Sequence, residues 1–309
     1  MHWPQDKRFC FTVVDDPDFA TVGTIRPVYD FLADLGMRTT RMVWVHAANE
    51  PGHPWGETCD DPEHLTMMLR LQKKGFELGF HGASPTSSSR RQVDDALEKF
   101  RSIFGSYPRC HCNHTGCVEN LYWGQYRVSG WRRALYIASA RGKPLPPSKG
   151  HVPESEYFWG DLCRDKIDYV RNFACDRVNT AAFDPWMPYH DPEKPYVKFW
   201  YSATVGSSPK YLRQNFSLER IDRLVEQGGL CILYVHFGAG FFSGGSLDPH
   251  FRSIFEYVAS KDGWFVPVSE ALDALRAMRR RESGVITKWG KIALESRWAA
   301  GKVGKKRGI

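Results

Sequence analysis

Apolar positions along the chain switch repeatedly between two periods. Phe9-Cys10-Phe11-Thr12-Val13-Val14 is a β-branched and aromatic run that ends at two aspartates. It predicts a strand. Ile25, Val28, Tyr29, Leu32 and Leu35 then recur at helical spacing and stop at Gly36. The same alternation continues through a strand over 39–45, a helix over 63–74 closed by Gly75, a short strand over 77–80 ending at His81, and a helix over 91–104 closed by Gly105. After a Trp-, Tyr- and Pro-rich stretch over about 118–205, in which only 166–173 stands out as regular, order returns. A helix over 218–227 leads into the apolar run Leu230–Val235 and His236, followed by a helix over 249–260, a strand over 264–268 and a helix capped by Ser269. Strands alternating with crossover helices predict an α/β fold built on parallel strands.

Composition narrows the functional classes. The 309 residues are 42% hydrophobic and 25% charged, which suits a globular chain and excludes wholesale disorder. No run of 18 apolar residues occurs, and the N-terminus has no signal-peptide pattern, so the expectation is a cytoplasmic protein. The eight cysteines are too sparse for a disulfide scaffold and are expected to be reduced; the spacing of Cys110, Cys112 and Cys117 fits no standard thiolate zinc site. Residues 276–309 carry eleven Lys or Arg against Glu282 and Glu295, so the net charge of +7 resides there and the remainder is slightly negative. No nucleic-acid-binding module accompanies that charge. The expected organisation is a domain over 1–276 with an irregular insertion over about 118–205, then a basic tail over 277–309. In that tail Val285, Trp289, Ile292 and Ala293 recur at helical spacing, with Trp298 following, and suggest peripheral contact with an anionic membrane face.

The polar residues that matter sit at strand ends. In β/α barrels the loops at the carboxyl ends of the strands converge on one face. Asp15 and Asp16, His81 and His236 each close a strand, and the segment Pro108–Gly116 adds His111 and His114. Carboxylates with imidazoles suit one divalent cation, Zn²⁺ first, with Co²⁺, Ni²⁺, Mn²⁺ or Fe²⁺ also fitting.

These residues resemble the polysaccharide deacetylases of the nodulation-deacetylase type, carbohydrate esterase family 4. Thr12-Val13-Val14-Asp15-Asp16 resembles the family's T-F-D-D-G, and 77–85 its E-[IL]-G-x-H-[ST]-x-x-H. Residues 105–116 align with G-x-x-P-x-x-F-R-x-P-x-G, Leu233–His236 with the late L-x-H, and 263–270 with the closing segment. The resemblance implies a distorted (β/α) barrel of about seven parallel strands and metal-dependent removal of an acetyl group from a sugar. It implies Asp15 as general base, His236 as general acid, and Asp16 and His81 as metal ligands. The family's second metal histidine falls on Pro85 and its base-orienting arginine on Cys112. His114 is therefore expected to replace the missing ligand, with His111, Asn113, Ser84 and Trp123 in supporting or substrate-contacting places. The expected substrate is an acetamido sugar in glycan or surface-polysaccharide biosynthesis, free or nucleotide- or lipid-linked. Two alternatives stand beside it: a metal-free sugar-binding relative in a glycan-assembly complex, and a hydrolase of a non-sugar amide or cyclic ureide.

Overall fold

The computed structural model describes residues 3–48, 55–279 and 284–306. Seven strands run parallel: β1 Phe9–Asp15, β2 Thr40–Trp44, β3 Glu77–Gly82, β4 Cys110–His111, β5 Tyr169–Cys175, β6 Phe199–Val205 and β7 Leu230–Val235. They pair in chain order, and pairing of β1 with β7 closes the ring into a barrel. A two-residue eighth strand, β8 Gly263–Trp264, lies beside the start of β1. All seven residues of β1 are buried, as expected of a barrel strand covered on both faces by side-chain layers and helices. The glycine in β3 has a packing reason. A Cβ on Gly79 would meet the Met42 sulfur at 2.5 Å and the Cys110 carbonyl oxygen at 3.1 Å, so a larger residue would displace the Met42 side chain and press on β4.

Helices Val22–Asp34, Pro62–Lys73 and Arg90–Phe104 cover the first strands within a residue or three of their expected bounds. Two strands escape the sequence pattern. β4 is only two residues long, and β6 sits inside the aromatic stretch read as irregular. The segment between β4 and β5 holds the helices Gly130–Ser139 and Gly160–Lys166.

The C-terminal segment is a docked helix, Lys288–Lys306, rather than an extension in solvent. Leu294 and Trp298 are buried, Trp298 lying 5.1 Å from the Phe173 ring and stacked near Tyr136. Glu295, also buried, accepts from Arg132 Nε at 2.6 Å and from the Ser129 hydroxyl at 3.1 Å. Lys291 pairs with Asp191 and Glu193. The side of the helix that packs on the barrel is thus Leu294, Glu295 and Trp298, while Val285 and Trp289 remain exposed. Residues 280–283 and 307–309 of the expected basic tail lie outside the described residues. Among the described residues no helix is long and apolar enough to cross a membrane.

Candidate active site

The last residue of β1 and the loop after it, 16–20, carry three carboxylates to the carboxyl-terminal mouth of the barrel. Asp15 turns inward and is wholly buried. Its Oδ2 accepts from Arg41 Nη1 at 2.6 Å and from the Tyr29 hydroxyl at 2.9 Å, and its Oδ1 accepts from the Phe237 backbone N–H at 2.8 Å. Burial raises its pKa against the opposing pull of Arg41 and these donors. Asp16 takes the guanidinium of Arg171, on β5, across both oxygens at 2.9 and 2.5 Å. Arg171 in turn lies 4.0 Å over the Tyr234 ring.

Asp18, two residues further on, sits among three imidazoles. Its Oδ2 is 3.6 Å from His81 Nε2 and 3.6 Å from His236 Nε2, and its Oδ1 is 3.6 Å from His114 Nδ1. Ligand atoms of Asp18, His81 and His114 all lie within 4.8 Å of one another, as do those of Asp16, Asp18 and His236. Burial pushes the Asp18 carboxyl up to about 6 and holds His81 well below the ordinary histidine range. Neutral imidazole is the form that offers a lone pair to a metal. Two glycines permit the convergence. A Cβ on Gly238, in the loop after His236, would fall 2.4 Å from the Phe19 carbonyl carbon, and one on Gly56 would fall 2.7 Å from the Pro17 oxygen. Both neighbours therefore press directly on the loop that carries Asp18.

The donor set fits a divalent metal. Asp18 Oδ2 and both ring nitrogens of His81 are buried without a hydrogen-bond partner, an expensive state for polar atoms unless something binds between them. Two bonds of about 2.1 Å meeting at the tetrahedral angle separate their ligand atoms by about 3.4 Å, close to the spacing observed here.

No protein-family model matches the sequence, and no curated protein matches it either. Solved structures do match in shape. The allantoinase PuuE aligns over 91% of this chain and 94% of its own, with a TM-score of 0.53 and 11% identity. A probable polysaccharide deacetylase from Pseudomonas aeruginosa PAO1 aligns over 89% of this chain and 93% of its own, with a TM-score of 0.51 and 12% identity. The chain has the polysaccharide-deacetylase fold.

Within that deacetylase fold the geometry redistributes the expected roles. Asp15, expected as the base, is wholly buried; it ties the end of β1 to the residue after His236 and pairs with Arg41. Asp16, expected as metal ligand, has both oxygens engaged by Arg171 and stands 3.8 Å from His81 Nδ1. The carboxylate between His81 and His114 is Asp18, which sequence reasoning missed. Pro85 stays in the loop after β3, and His114 reaches the site from the loop after β4, its ring centroid 5.3 Å from that of His81. His236 stands at the rim, 19% exposed at its side chain, with Nε2 at 2.8 Å from the Tyr234 hydroxyl.

The supporting residues lie elsewhere. His111 Nδ1 is 2.9 Å from the Phe80 carbonyl oxygen and its ring packs on Trp159, so it braces β3 against β4 instead of facing the mouth. Asn113 accepts from the Leu121 N–H and donates to the Leu121 oxygen, closing a loop. Ser84 bonds within its own turn to Thr86. Trp123 lies flat under the Arg127 guanidinium. Position 112, where the resemblance expects an arginine, is a cysteine, and the arginine that pairs with a carboxylate of the site is Arg171 on another strand.

Proposed function

We propose that this protein is a metal-dependent hydrolase that removes an acetyl group from an acetamido sugar. The observation that carries this reading is the convergence of Asp18, His81 and His114, with buried ligand atoms of Asp18 and His81 left without a hydrogen-bond partner, beside an arginine-held carboxylate and a rim histidine. Asp18, His81 and His114 would hold the cation. When bound, such a cation supplies Lewis-acid polarisation of the acyl oxygen and lowers the pKa of water.

The chain's own residues do the rest. Arg171 fixes Asp16 at both oxygens, so the carboxylate keeps one orientation and its remaining lone pairs face the group of His81 and His236. Asp16 accepts the proton of the attacking water at one of those oxygens. His236, reachable from solvent, delivers a proton to the departing amine, and Tyr234 holds its ring. Asp15 is a positioning residue for that histidine through the Phe237 N–H.

Acetate release from N-acetylated sugars by Zn²⁺- or Co²⁺-loaded protein tests the reading. Asp16→Asn and His236→Ala should each cost roughly a hundredfold or more in rate while the protein still binds metal. Metal-loaded protein that releases no acetate from any acetamido sugar, yet opens a cyclic ureide or cleaves a simple amide, would replace the sugar with a non-sugar substrate. A protein that binds sugar but no metal would end the hydrolase reading. Participation in surface-polysaccharide biosynthesis, and a place beside an anionic membrane, are part of the same proposal and are tested by vesicle binding of the full chain at low salt.

A further inference from the structure

A cavity of about 330 Å³ opens where β5 and β6 end, lined by Ala174, Cys175 and Val205 from the strands and by Arg297 and Trp298 from the C-terminal helix. Arg127 and Arg177 complete its wall, and Asp176 is its single acid. Among the described residues none of the three arginines has a carboxylate oxygen within 4.0 Å. Arg297 spends one N–H on the Phe183 carbonyl oxygen, and Arg177 is exposed.

Arg127 is the unusual member. Its Cζ lies 3.4 Å from the Trp123 ring centroid and 5.9 Å from that of Trp298, so the guanidinium sits against one indole with a second nearby. Its Nε is buried with no hydrogen-bond partner. Desolvation, with Arg171 as a nearby like charge, pulls its pKa down to about 9. A guanidinium held against an indole, with no carboxylate partner and its Nε lacking an acceptor, is suited to pairing with an oxyanion. Solvation by water alone would leave three positive charges facing one aspartate in a partly closed space.

The cavity also lies in reach of the candidate site. Ala174 is three residues beyond Arg171 on the same strand, roughly 10 Å along it. We propose that this arginine-lined cavity is a subsite for an anionic group, a phosphoryl or a carboxylate, carried by the substrate away from the hydrolysed bond. The proposal rests on the hydrolase reading for its placement, but the anion site itself does not require hydrolysis.

Calorimetric titration of the full chain with inorganic phosphate and with glucuronate tests the site directly. Saturable binding at or below about 10 mM is expected, because two or three charge-assisted hydrogen bonds suffice for that affinity. Arg127→Gln should weaken it at least about tenfold. Arg177→Gln combined with Arg297→Gln changes exposed side chains only and should weaken it comparably, which keeps the test decisive if Arg127→Gln does not fold. A wild-type chain with no saturable binding of either anion, or binding that both variants retain, overturns the subsite. Where the chain hydrolyses acetamido sugars, kcat/KM for a phosphorylated and for a carboxylated acetamido sugar should each be compared with the neutral one. The preferred anion names the source, and a preference of at least about tenfold should collapse in Arg127→Gln. Equal kcat/KM for all three substrates overturns the placement. A chain that hydrolyses none of them but binds phosphate through these arginines refutes the function proposed above and leaves the anion site standing.

Discussion

Replacing Asp18 by asparagine separates the geometric site from the one the sequence suggests. The substitution keeps the side-chain shape but removes the carboxylate placed 3.6 Å from each of three histidine nitrogens. Asp16 has both oxygens already engaged by Arg171, so it is a poorer replacement for the lost anionic ligand. Removing the single anionic ligand of three should weaken a Zn²⁺ or Co²⁺ site about 100-fold or more. Thermal unfolding reads this through linkage. At a free metal concentration 1,000 times the wild-type Kd, binding stabilises the native state by about 4 kcal/mol, which at about 2 °C per kcal/mol for a domain of this size raises Tm by about 8 °C. The same concentration is only about 10 times the weakened Kd, so Asp18→Asn should gain about 1.4 kcal/mol, or about 3 °C. Asp16→Asn should keep most of the wild-type shift. Metal content after gel filtration, measured by plasma emission, provides a second readout. If Asp18→Asn retains the full shift and stoichiometric metal while Asp16→Asn loses both, the assignment of Asp18 is refuted and Asp16 is the ligand.

Two further predictions concern stability. Trp298→Ala removes a buried indole packed on Phe173 and should cost about 3–5 kcal/mol in urea unfolding, whereas Trp289→Ala, at 78% exposed, should stay within about 0.5 kcal/mol. Equal small effects would mean that the C-terminal helix is not docked. Asp184 is buried, accepts from the Ser202 hydroxyl at 2.7 Å, and is pushed up to about 6 mainly by burial. Between about pH 4 and 6 the native state therefore holds a proton that the unfolded chain has lost, so this group's contribution falls as pH rises through that window, by about 3 kcal/mol at most. Asp184→Asn can still accept from the Trp186 and Met187 N–H groups through its amide oxygen, and should flatten that slope and raise stability at pH 7; an unchanged slope would show that Asp184 is ionised in the native state across the window.

The barrel was legible because most of its strands are buried on both faces and so appear as continuous apolar runs, as in Phe9–Val14 and Leu230–Val235. β4 and β6 were not, since a two-residue strand has no period and β6 lies in a stretch where aromatic residues serve packing of every kind. On the C-terminal helix the face that packs on the barrel was not legible as an apolar stripe. Glu295 counts as polar in any pattern, but its pair with Arg132 lets it lie on the buried face next to Leu294 and Trp298.

The same neglect of pairing hid Asp18, and the sequence held the means to find it. Pro17 disfavours the helical region for the residue before it, and in extended chain residues two apart point to the same side, so Asp16 and Asp18 share a direction that Asp15 does not. Charge counting goes further. Arg41 and Arg171 each sit within a barrel strand, among residues such as Met42-Val43-Trp44 and Tyr169-Val170 that must be buried. A buried arginine is tolerable only beside an anion. Two such arginines claim two carboxylates at the end of β1, one from the adjacent strand and one from across the barrel: Asp15 by Arg41 and Asp16 by Arg171. The third carboxylate of the loop is then the one with negative charge to spare, and it is the one the histidines surround.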